Sequence, residues 1–318
     1  MCEIQRTDGI ARGSVSAASS FEYTPFERQQ HRCSTGGNTT WTRRVNPPVC
    51  LSLNELSILP EEMFRGLRNL HTVQLYFNKL TTLPESLFSM LDCLTTLDLF
   101  TNQLVTVNNG TFRDLVGLQF LSLSDNRLAE LPQGLFDGLF SLLTLDLRNN
   151  ELTTLNDDIF RSMTQLLCMG LDKNRLVSLP NRLFSGMLNL MHVDLNDNRL
   201  KTIPVDLFHG LGNESRAIIV ALWNNNLTSI PDGTFRGLDD NLIELYLHEN
   251  QLAKLERDVL YSLQKLRTLD ISSHGSNELG QITEGLFNGL RDLQHLDLES
   301  NRLKMLGASI FQDLVHFH

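Results

Sequence analysis

The sequence predicts an α/β solenoid with a parallel β-sheet on its concave face, and three observations carry that prediction. The 318-residue chain holds about sixty leucines, and none lies before position 50. From Leu70 it reads LHTVQLYFNKLTTLPESLFSMLDC and from Leu94 LTTLDLFTNQLVTVNNGTFRDLVG, so the same positions recur after 24 residues. The unit L-x-x-L-x-L-x-x-N-x-L-x-x-L-P-x-x-x-F-x-x-L-x-x then keeps its phase through starts at Leu70, Leu94, Leu118, Leu142, Leu166, Leu190, Ala217, Leu242, Leu266 and Leu293. With a degenerate unit over 46–69, residues 46–318 hold about eleven units in tandem. A fixed period of this length marks stacked supersecondary units.

Each part of the unit has a physical reading. In L-x-x-L-x-L the second and third leucines alternate as in a strand with one buried face, and 24 residues leave room for a return arm. One turn cannot bury its own apolar face, so turns stack and their leucines form a continuous core. At ~1.5–3 kcal/mol per buried aliphatic or Phe side chain, several such positions per turn offset the ordering entropy of a thin coil. A second column comprises Asn78, Asn102, Asn126, Asn150, Asn174, Asn198, Asn225, Asn250 and Asn301, with Asn54 in the degenerate unit. An amide recurring every turn predicts a ladder that satisfies backbone groups where the strand bends away, each worth ~1–3 kcal/mol if left unpaired. A third column runs Phe64, Phe88, Phe112, Phe136, Phe160, Phe184, Phe208, Phe235, Phe287 and Phe311, with Leu260 as its one break, and predicts a spine on the convex side.

Three units depart from plain repetition. The one from Leu190 is lengthened by residues 212–216, and the next by one residue near Asp240. The unit from Leu266 reads LDISSHGSNELGQI, which puts His274 at the ladder position and inserts about three residues before Leu279. All three read as local bulges on loops.

The units resemble the leucine-rich repeat, in the 24-residue form with a phenylalanine near its end that is common in Slit-like proteins, matrix proteoglycans and Toll-like receptor ectodomains. The resemblance covers about 85% of the chain. It implies a right-handed horseshoe whose convex arms are mostly irregular, 3-10 or short helical. It also implies a protein-recognition module, with an intracellular scaffold or regulatory subunit as the alternative and the repeat part of a larger receptor or enzyme as a third reading.

Residues 1–45 hold no leucine and form a tail, with a small cap nearest the repeats where HRCSTGGNTTWTRRV suits a hairpin. Five cysteines, Cys2, Cys33, Cys50, Cys93 and Cys168, are too scattered for a disulfide scaffold. PVCLSLNELSILP is similar to the cysteine-bearing cap junction of secreted relatives, which implies a Cys33–Cys50 disulfide in an oxidising compartment. Cys93 and Cys168 read as surface or half-buried thiols. At the far end the chain stops where another unit would begin, with no polar terminal cap, so the coil reads as truncated.

Charge and motifs narrow the function. The net charge is -10, and the first 45 residues carry six arginines against four acids, so the remainder carries -12. That balance gives no footprint for nucleic acid or anionic lipid. The longest apolar run, Ala217 to Trp223, falls far short of the ~20 residues a membrane span requires. No nucleophile elbow, phosphate loop, zinc motif or kinase signature is present, and neither a catalytic site nor a cofactor is expected.

The informative residues flank the second and third leucines and face away from the core. One column reads Gln74, Asp98, Ser122, Asp146, Gly170, Asp194, Ala221, Tyr246, Asp270 and Asp297. The next reads Tyr76, Phe100, Ser124, Arg148, Asp172, Asn196, Trp223, His248, Ser272 and Glu299, with Phe77, Asp125, Asp197 and Glu249 beside it. Tyr76, Phe77, Phe100 and Phe120 are expected to cluster as exposed aromatics at one end. Asp146, Asp172, Asp194 and Asp197 are expected to form an acidic mid-section, with Trp223 and Tyr246 beyond it. The expected ligand is a protein, basic where it meets the acids. Four N-x-S/T sequons, at Asn38, Asn109, Asn213 and Asn226, favour an extracellular or cell-surface setting over a cytoplasmic one, with Asn226 the more hindered for standing beside the ladder.

Overall fold

Among the described residues, eleven short strands follow one another in a single parallel sheet whose spatial order is the order of the chain. They are β1 (Val49–Cys50), β2 (Thr72–Gln74), β3 (Thr96–Asp98), β4 (Phe120–Ser122), β5 (Thr144–Asp146), β6 (Cys168–Gly170), β7 (His192–Asp194), β8 (Ile218–Ala221), β9 (Leu242–Tyr246), β10 (Thr268–Asp270) and β11 (His295–Asp297). The computed structural model describes residues 47–211, 216–273 and 275–314. Register follows the repeat: Leu97 pairs with Val73 on one side and Leu121 on the other. The expected 24-residue unit is therefore one turn of a leucine-rich-repeat solenoid.

The arms are built almost wholly of turns. Three-residue hydrogen bonds such as Leu87 N–H to Pro84 O (3.2 Å) and Leu115 N–H to Phe112 O (3.1 Å) hold them. A single 3-10 helix, Arg257–Val259, forms among the described residues. The inward-facing leucines of the middle turns are buried, whereas Val49, Leu51 and Leu56 in the first turn and Leu296, Leu298 and Leu303 in the last are only partly covered. The phenylalanine spine forms as expected: from Phe64 through Phe88, Phe112 and Phe136 to Phe160, successive rings stack with centroids 5.9 to 6.5 Å apart.

The asparagine ladder accounts for its backbone groups turn by turn. Asn126 is typical: its Oδ1 accepts the Leu104 N–H at 3.0 Å, and its Nδ2 donates to Leu99 O (3.1 Å), Leu123 O (3.0 Å) and Ser124 O (3.0 Å). One amide thus ties its own turn to the turn before it. The residue preceding each ladder asparagine but Asn277 is left-handed, including Phe77 (φ 51), Thr101 (φ 50), Asp125 (φ 52), Asn149 (φ 51), Lys173 (φ 53) and Asp197 (φ 53). That conformation swings the next side chain into the core. It costs ~1 kcal/mol at a non-glycine position, and the ladder bonds offset it.

Two expectations change. His274 lies outside the described residues, and the ladder place in its turn is taken by Asn277, whose Oδ1 accepts the Leu252 N–H (2.9 Å) while Nδ2 donates to Leu247 O (3.1 Å). The extra residue expected near Asp240 is absorbed inside the sheet, where the register steps from Ile218 opposite Leu242 to Ile219 opposite Glu244 and leaves Ile243 as a bulge. A bulge accommodates one surplus residue without disturbing the pairing beyond it.

Candidate functional site

Strand periodicity turns every second side chain of the sheet outward, and strands ~4.8 Å apart bring those side chains into lateral contact. The outer face falls into three zones.

At the N-terminal end, the aromatic rings meet in part. Phe77 packs edge-on against Phe100 (centroids 5.2 Å apart) and against Tyr76 (6.1 Å). Phe77 is 44% exposed and Phe100 half-buried, whereas Tyr76 is buried rather than exposed, covered by its neighbours. Phe120 does not belong to this group. It opens β4 opposite Thr96 and stands four residues upstream of the column that holds Phe100, roughly 13 Å along the strand. The signal that separates it is its position one residue before the second leucine of its unit.

In the middle, Asp146 at the end of β5 and Asp172 just past β6 meet Asp194 at the end of β7. Asp146 Oδ2 pairs with the Arg148 guanidinium at 3.0 Å, and its Oδ1 accepts the Arg148 N–H at 3.1 Å. Burial still pushes its carboxyl above the ordinary range. Asp172 is 8% exposed, and its Oδ1 has no hydrogen-bond partner. Burial first, then the charges of Asp194 and Asp146, push it up to about 7. Asp98, two strands nearer the N-terminus, is raised to about 6 by burial, against the Phe100 N–H that steadies its charge. His192 brings no compensating cation, since burial lowers its imidazole. Asp197 stands one column further out and is tied to Asn196 (3.0 Å) and Asn224 (2.5 Å).

Beyond the acids, Trp223 stacks on His248 with centroids 5.3 Å apart and planes 6° from parallel, and Tyr246 meets His248 edge-on at 6.3 Å. His248 Nδ1 lies 3.0 Å from Asp270 Oδ2, a close polar contact without the direction of a good hydrogen bond. Burial pushes Asp270 up, but His248 and Ser272 outweigh it and hold the carboxyl below its usual range. The Tyr246 hydroxyl donates to Glu244 at 2.8 Å. Sequence reasoning placed His248 in the outward column but singled out only Trp223 and Tyr246, which His248 links.

Among the described residues, no three His, Cys, Asp or Glu side chains are placed to hold a metal ion, and no helix is long and apolar enough to cross a membrane. Asn109 and Asn226 are both exposed, so Asn226 is less hindered than its place beside the ladder suggested; Asn38 and Asn213 lie outside the described residues. The Cys33–Cys50 pairing rests on Cys33, which also lies outside them. Cys168 is buried (3% exposed) and disulfide-bonded, not a surface thiol. Cys93 is the free cysteine among the described residues.

Comparison with known proteins agrees with the fold. A leucine-rich-repeat family model matches residues 68–128, 121–172, 168–213 and 219–274, which is more than half of the chain. The chain belongs to the leucine-rich repeat family, whose domains are protein-interaction modules. Leucine-rich repeat-containing protein 3B of Homo sapiens is 32% identical over 105 residues, 33% of this chain and 38% of that protein. Podocan of Mus musculus is 38% identical over 91 residues, 28% of this chain and 14% of that protein. The matched part thus spans well under half the length of these relatives. Among solved structures, a chain of the Drosophila Toll–Spatzle complex, in its glycosylated form, superposes with TM-score 0.71 at 31% identity, over 78% of this chain and 32% of that one. A leucine-rich-repeat protein of Leptospira interrogans gives TM-score 0.55 at 26% identity, over 82% and 74%.

Proposed function

We propose that the outer face of the sheet binds a protein ligand in an extracellular or cell-surface setting, with Phe77 and Phe100 as apolar anchors and the Asp146, Asp172 and Asp194 zone facing basic groups of the ligand. One observation carries the reading. The scaffold columns repeat nearly unchanged from turn to turn, whereas the outward columns vary and gather aromatics at one end and buried carboxylates in the middle. Exposed aromatics on a rigid sheet have the composition of binding hot spots. The likeness to a chain of the Toll–Spatzle complex and the exposed sequons at Asn109 and Asn226 support the setting.

Photo-crosslinking residues placed at Phe100, Asp146 and Tyr246 on the sheet, and at Glu85 and Glu130 on the arms, test the face used. Incubation with secreted proteins of the source organism is expected to give crosslinks from the sheet positions alone, and crosslinks confined to the arms overturn the assignment. Secretion from eukaryotic cells is expected to leave a glycan on Asn109 that the Asn109→Gln variant lacks by mass spectrometry. An unoccupied Asn109 contradicts the extracellular setting.

A further inference from the structure

We infer that Gly170 opens a notch in the acidic mid-section that takes one primary ammonium group, the side-chain terminus of a lysine on the protein ligand. The inference rests on the outer sheet face being the ligand surface and names the chemistry of one subsite within it.

Gly170 ends β6 and lacks a side chain in a column otherwise filled by Asp146 on one flank and Asp194 on the other. Its backbone does not require glycine, since its φ is not left-handed. What glycine supplies is space: a Cβ there would stand 3.2 Å from Asp146 Oδ1 and 3.6 Å from Asp172 Oδ1. The space is thus bounded by carboxylate oxygens from two turns. Asp172 Oδ1, buried and aimed into it, accepts no hydrogen bond from any described residue. Buried polar atoms in folded proteins are nearly always paired, so an orphaned carboxylate oxygen beside an open notch points to a donor supplied from outside.

The donor must be cationic and small. Asp146 gives Oδ2 to the Arg148 guanidinium and Oδ1 to the Arg148 N–H, whereas Asp172 Oδ1 has no donor and its carboxyl stands near the like charge of Asp194. A tetrahedral ammonium can donate to divergent oxygens on separate strands, whereas a planar guanidinium requires a coplanar pair. The groups that set the charge on Asp172 are Asp146 and Arg148 from the β5 turn, Asp194 with neutral-leaning His192 from β7, and its own neighbour Lys173. Burial first, then Asp194 and Asp146, outweigh Arg148 and Lys173 and hold Asp172 largely protonated below about 7. An arriving ammonium therefore displaces a proton.

Protein labelled with 15N-glycine reports on the notch through the Gly170 amide, with trilysine as probe and Nε-acetylated trilysine as the neutral control. Trilysine is expected to shift the Gly170 amide and the acetylated peptide is not. Because Asp172 ionises near 7, wild-type affinity should rise about tenfold from about pH 6 to about pH 8. Asp172→Asn should bind about tenfold more weakly at the higher pH and lose the pH dependence. Gly170→Ala, which fills the notch and keeps every charge, should weaken binding similarly, while Glu130→Gln on an arm leaves it unchanged. Binding that is independent of pH, binding to Asp172→Asn equal to wild type, or an unperturbed Gly170 amide each overturns the notch. If crosslinking from Phe100 and Tyr246 persists while the notch fails, only the subsite is wrong; if both fail, the sheet-face reading falls with it.

Discussion

Asn174 and Asp172 stand two residues apart in one turn, are equally hidden from solvent (6% and 8% exposed), and are treated oppositely by the fold. The Asn174 amide donates to Leu147 O, Leu171 O and Asp172 O and accepts from Leu152 N, so nothing is left unpaired. The Asp172 carboxylate has an orphaned oxygen and two like charges nearby. Satisfied polar burial of the first kind builds a scaffold, whereas unsatisfied burial of the second kind costs stability and persists where it serves something other than the fold. The same contrast extends along the sheet, between columns that close on themselves and columns that face outward.

The contrast can be broken or sharpened by substitution. The largest effect is expected in the spine: Phe136→Ala removes a ring stacked on both Phe112 and Phe160 and should cost ~3–5 kcal/mol by urea unfolding. Asn126→Ala orphans the Leu104 N–H and takes one of two donors from each of three carbonyls, which keep Asn102, Asn150 and the Thr101 N–H, and should cost ~1–3 kcal/mol, a loss that would show the ladder, not leucine burial alone, fastens turn to turn. The outward acids should behave in the opposite sense. Their folded-state values, about 6 for Asp98 and about 7 for Asp172, lie above the ordinary 3.8, so the folded chain holds protons that the unfolded chain has released. Their contribution to stability is therefore present below about pH 4 and is lost as pH rises to about 7. Urea midpoints at mildly acidic and mildly alkaline pH, compared with those of Asp98→Asn/Asp172→Asn, measure it, and the difference should shrink in the double variant. The smallest effect concerns the left-handed column: Thr101→Asn replaces a β-branched residue at φ 50 with one that tolerates it and should stabilise by ~0.5–1 kcal/mol.

Most of the scaffold is legible in the sequence because one strong period controls strand, ladder and spine together. Where the period slips, so does the reading. His274 was placed by counting forward from Leu266, but counting back from Leu279 finds Asn277-Glu278-Leu279, the N-x-L spacing of every other turn. The bulge at Ile243 could not be placed the same way, since an arm and a strand can each absorb one residue. The left-handed column had a weak signal in Asp125, Asn149, Asp197 and Asn224, residue types that tolerate positive φ, but Phe77 and Thr101 obscure it. The outer face was legible only as membership. Which side chains share a column follows from the repeat, whereas the burial of Tyr76, the distance of Phe120 from Phe100 and the orphaned Asp172 oxygen depend on how neighbours cover one another.

The most direct test of the distinction between scaffold and recognition is the urea midpoint of Asp172→Asn at about pH 8, where the wild-type carboxylate is charged. The amide removes the buried charge and can donate to the flanking carboxylates, so the variant should be more stable than wild type while losing affinity for an ammonium ligand. A variant less stable than wild type would show that Asp172 supports the fold as Asn174 does, and would contradict the account.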